Sequence, residues 1–97
     1  MEEFLIKLKK EHEEFLNEVR EGDTEMIISK AYEIVVKDEI VYVLENLEDE
    51  EQKAIYENIE DNVLNYFYEN CIDELICDGK MNKIIRANID KELEYLM

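Results

Sequence analysis

Proline is absent from all 97 residues, and glycine occurs only at positions 22 and 79. Most tight turns and most helix breakers are thereby missing together, so the chain reads as helices joined by short links. Tryptophan is also absent; there is one histidine, His12, and Thr24 and Ser29 are the only serine or threonine. With no glycine-rich loop to cradle a phosphate and no nucleophile beside a base, the sequence points away from an enzyme, and no cofactor is expected. Nor does any apolar run approach the roughly 18 to 20 residues that a bilayer span requires. The first residues form an acidic amphipathic segment, not a signal peptide, so a cytoplasmic protein is expected.

Cysteine is scarce too. Cys71 and Cys77 lie six apart, which on one helix separates them by about 9 Å along the axis and turns them to different faces, beyond disulfide reach. Both read as reduced thiols filling apolar space, and with only His12 to join them no metal set is complete. His12 falls four after Leu8 and three before Phe15, at the edge of an apolar stripe where its ring can pack. Asp78-Gly79 does not make a calcium loop: with Gly79 sixth, Ile76 and Ile85 occupy the third and twelfth positions, which must ligate.

What the chain has in excess is negative charge, 27 Asp and Glu against 11 Lys and Arg, for a net −16. The excess is localised. Between Asp38 and Asp78 there are fourteen carboxylates and one cation, Lys53, so this stretch carries −13 of the total. Enough apolar side chains remain, 46% of residues, for the chain to fold despite that repulsion.

Apolar periodicity organises the chain into one domain. Residues 2–20 form an amphipathic helix on Phe4, Leu5, Leu8, Phe15, Leu16 and Val19, ended by Gly22. Asp23 or Thr24 caps a central helix whose inward positions are read as Ile27, Ile28, Ala31, Ile34, Val35, Ile40, Val43, Leu44 and Leu47. The β-branched run Ile34–Val43 resembles a strand, but Lys37, Asp38 and Glu39 interrupt it and no turn follows. Asp49 with Gln52 suggests a capping box opening a short helix through Ala54, Ile55 and Tyr56. Asp61 or Asn62 caps a fourth helix on Val63, Leu64, Phe67, Cys71, Ile72, Leu75 and Ile76, stopped by Asp78 and Gly79. The last runs from Lys80 to about Leu96 on Met81, Ile84, Ile85, Ile89, Leu93 and Leu96. The expected fold is all-α, a small bundle of four to five helices.

Tyr66, Phe67 and Tyr68 cannot all face one core from one helix, so Tyr66 or Tyr68 is expected at the surface, near Glu69, Asp73 and Glu74. An aromatic flanked by carboxylates suits a basic protein surface, where arginine pairs with acid and stacks on the ring. Carboxylates three or four apart on a helix lie about 5–6 Å from each other, close to the spacing of successive phosphates. An acidic helix face can therefore occupy a nucleic-acid groove by imitation, while the same charge opposes direct binding of DNA or RNA.

Ala31-Tyr32-Glu33, Lys37-Asp38-Glu39-Ile40, Glu50-Glu51-Gln52 and the closing Met81, Ile84, Ile85 and Arg86 resemble the recurring order of a family of short acidic proteins. These are bacterial and phage-borne and known as a domain of unknown function. Members often carry Pro-Pro where this chain has Gly22, Asp23 and Thr24, and Ser where it has Asp49. The resemblance spans nearly the whole chain and implies accessory products of phages and mobile elements, among which small acidic proteins often block host defence proteins; it supplies no site residues.

Together these readings lead to a non-enzymatic binding protein that inhibits a basic, nucleic-acid-handling host defence protein, such as a CRISPR effector. The candidate contact residues are Glu45, Glu48, Asp49, Glu50, Glu51, Glu57, Glu60, Asp61, Glu69, Asp73 and Glu74, with Tyr66 and Tyr68 as anchors. No metal, membrane or direct nucleic-acid contact is expected. The alternative is a homodimeric scaffold joined through Phe4, Leu8 and Phe15.

Overall fold

The computed structural model describes residues 2–59, 62–78 and 81–96, with backbone alone for 73–78, 81 and 82. They form five helices and, among the described residues, no strand: α1 Glu2–Glu21, α2 Thr24–Glu45, α3 Asp49–Asn58, α4 Val63–Asp78 and α5 Met81–Leu96. The fold is the expected all-α bundle. Asp23 is the cap of α2: its side chain accepts from the Met26 N–H at 2.9 Å, occupying one of the donors a helix start leaves unpaired. The Met26 side chain lies where a Cβ on Gly22 would sit, so the α1–α2 turn favours a residue without one.

Every helix feeds a single core. Phe4 and Leu8 of α1, Val36, Ile40, Val43 and Leu44 of α2, Ile55 of α3, Val63, Leu64, Phe67 and Cys71 of α4, and Ile85, Ile89 and Leu93 of α5 are buried against one another. Helix α4 packs on α5, α2 and α1, whereas α3 packs on α5 and α1. Of the residues named for a dimer face, Phe4 and Leu8 fill the core and Phe15 is half-buried.

The inward positions of α2 differ from expectation in its first half. Ile27, Ile28, Ala31 and Val35 are exposed and Ile34 is half-buried, while Val36, Val41 and Lys37 turn inward with Ile40, Val43, Leu44 and Leu47. The helix carries apolar side chains on nearly all sides, and only the half beyond Val35 lies inside the bundle. From Leu16 to Val35 the sole buried residue is Val19, so this end of the α1–α2 hairpin has little to pack against.

The predicted cap of α3 also moves. Glu48, not Asp49, opens α3, and its N–H donates to Glu51 Oε1 at 3.1 Å, as in a capping box one residue earlier than expected. Gln52, 2% exposed, instead donates through Nε2 to the carbonyls of Leu44 and Glu45 at the end of α2, at 3.1 and 3.3 Å. At the start of α4 the Leu64 N–H is taken by Glu11 Oε1 of α1 at 3.0 Å. Asn62 has φ 55°, in the left-handed region that asparagine tolerates, and Asp61 lies outside the described residues.

Candidate functional site

The candidate carboxylates fall into two groups by element, one from the end of α2 through α3 and the other on α4. One group lies where α2 passes into α3. Glu45, Glu48, Asp49 and Glu50 are exposed there, and Glu51 is half-buried and accepts from the Glu48 N–H. The acidic first turn of α3 is favoured by the helix dipole, so this concentration of charge has a local cause as well as any external use. Two turns on, exposed Glu57 stands 3.9 Å from Lys53 Nζ, a surface pair of small energetic weight.

The second group is on α4. Glu69 is exposed and accepts from Asn65 Nδ2 at 3.2 Å. Tyr66 is the surface aromatic of the pair, but its hydroxyl already donates to Glu92 Oε2 of α5 at 2.8 Å, and its ring meets Phe67 edge-on at 5.4 Å. That hydrogen bond first, then burial and the Glu92 charge, raises the Tyr66 phenol above its ordinary pKa. Tyr68 is half-buried against the core, and burial followed by the charge of Glu33 raises it in turn. Glu60 and Asp61 lie outside the described residues, as do the side chains of Asp73 and Glu74.

Three features escape the sequence reading. Lys37, which interrupts an apolar run in the sequence, is 5% exposed. Its ammonium sits 2.8 Å from Glu33 Oε2, 3.9 Å from the Phe15 ring centre and 5.4 Å from that of Tyr68. The second is an open cleft of about 280 Å³ between α1 and the start of α4, where Glu11, Glu14 and Glu18 add carboxylates outside the Asp38–Asp78 stretch. The third is the exposed apolar face of α2; more apolar residues than one core-facing stripe can hold was the signal for it. His12 does more than pack: its Nε2 lies 2.7 Å from Asp38 Oδ1. Among the described residues no three His, Cys, Asp or Glu side chains are grouped to hold a metal, and no helix is long and apolar enough to cross a membrane.

Fold and surface together define an all-α bundle with exposed carboxylates on α2, α3 and α4. No protein-family model, curated protein or solved structure matches the chain.

Proposed function

We propose that this protein is a non-enzymatic inhibitor that occupies the basic surface of a nucleic-acid-handling host defence protein, such as a CRISPR effector, on behalf of a phage or mobile element. The observation that carries this reading is the placement of charge. The Asp38–Asp78 stretch holds −13 of the net −16, and Glu45, Glu48, Asp49, Glu50, Glu57 and Glu69 all stand exposed. A basic groove that normally binds phosphates relieves the mutual repulsion of such carboxylates, which favours association and speeds it. The resemblance to short acidic phage-borne proteins supports the same partner class.

The test is capture of partners from host lysate with tagged protein, washed at low and at high salt, followed by mass spectrometry. A basic nucleic-acid-handling protein released by salt is expected. Lysine substitutions at Glu45, Glu50, Glu57 and Glu69, all exposed, should weaken its binding by at least about 10-fold; unchanged binding would refute the proposal.

A further inference from the structure

We propose that the outward face of α2 is a docking surface for a basic amphipathic helix of a partner protein. Ile28, Val35 and Tyr42 recur every seven residues and are 70%, 54% and 61% exposed, with Ala31 and Tyr32 also exposed between them. Residues spaced by three, four and seven share one side of a helix, so these five form a single stripe along α2. Among the described residues no other helix covers it. A straight apolar stripe at this spacing is the surface that a second helix packs along, its own apolar ridge laid between the side chains.

Charge selects the occupant. The two cations of α2 serve its other side: Lys37 is buried beside Glu33, and Lys30 Nζ lies 3.4 Å from the same carboxylate. The outward side carries acid instead. Glu25, Asp38 and Glu45 each lie three or four residues from a stripe position and are exposed, Asp38 with His12 beside it. A second copy of this chain would press those carboxylates, and two net charges of −16, against each other. A helix bearing an apolar ridge flanked by lysine or arginine meets both halves of the surface. The inference does not depend on imitation of nucleic acid, because it uses neither α3 nor α4.

The probe is a Leu/Lys peptide of about five turns with leucines spaced by three and four, compared with a scrambled peptide of identical composition at about 0.15 M NaCl. The patterned peptide should bind at least about 10-fold tighter, shifting backbone amide resonances mainly within residues 24–46. The double substitution Ile28→Ser and Val35→Ser, which leaves charge unchanged, should remove at least about 10-fold of that affinity, and Tyr42→Ser provides a second, independent variant. Glu50→Lys with Glu57→Lys should change it by less than about 3-fold. Equal binding of both peptides, or indifference to the stripe variants, would show that charge alone is read and would overturn the proposal. So would a dimer in sedimentation that the stripe variants abolish, since the occupant would then be a second copy.

Discussion

Lys37 shows how one residue can hold three helices. An ammonium taken out of water needs a counter-charge and satisfied surroundings, and Glu33 from its own helix with Phe15 of α1 and Tyr68 of α4 provide them. Lys37→Met keeps most of the stem but removes the charge, and should cost about 1–3 kcal/mol in urea unfolding. Glu33→Gln should couple to it by about 1 kcal/mol in a double-mutant cycle; strict additivity would mean that the pair contributes nothing. Tyr66 leads to a pH prediction. Its phenol is raised, so the folded chain holds that proton more tightly than the unfolded chain. The resulting stability is complete below the unfolded value and is lost as pH rises through the folded one. Tyr66→Phe should therefore flatten the alkaline fall of the urea midpoint above about pH 10, while Tyr68, also raised, keeps part of it. Neither role is legible at the residue itself: Lys37 reads as a break in an apolar run, and Tyr66 as an unattached surface ring, until Phe15 and Glu92 are brought beside them.

At the scale of the element, α1 clamps the link between α3 and α4 with two charges one turn apart. Lys7 Nζ donates to the Ile59 carbonyl at the end of α3 at 3.5 Å, and Glu11 accepts the Leu64 N–H at the start of α4. A cation at a helix C-terminus and an anion at an N-terminus both oppose the local dipole. Glu11→Ala should cost about 1 kcal/mol and lower protection of the first amides of α4 in hydrogen exchange. Unchanged protection there would show that α4 starts without this cap. Helix positions themselves were readable from apolar periodicity, from Asp23 and from the missing prolines, since these act over one or two turns. The inward side of α2 was not readable. Its apolar residues cover most of its circumference, so periodicity alone could not choose between the Ile28–Val35 side and the Val36–Val43 side.

For the whole molecule, the dominant quantity is a charge of −16 on a chain of 97 residues. Exposed like charges repel through solvent, and salt screens them over about 10 Å at 0.1 M. Raising NaCl from about 0.02 to 0.5 M should therefore raise the thermal midpoint by several degrees, the equivalent of about 1 kcal/mol, followed by far-UV circular dichroism. A falling midpoint would mean that attractive pairs such as Lys37–Glu33 outweigh the repulsion. Composition and local pattern were enough to determine four to five helices, their approximate ends, and an acid excess concentrated between Asp38 and Asp78, because propensity, capping and summed charge do not depend on distant neighbours. Only the tertiary structure decided that Glu11 caps a helix 53 residues away, that Lys37 is buried, that Tyr66 is tied to Glu92, and that one side of α2 remains uncovered. Each of these depends on which helix surfaces meet, and that is a competition among all five for one core.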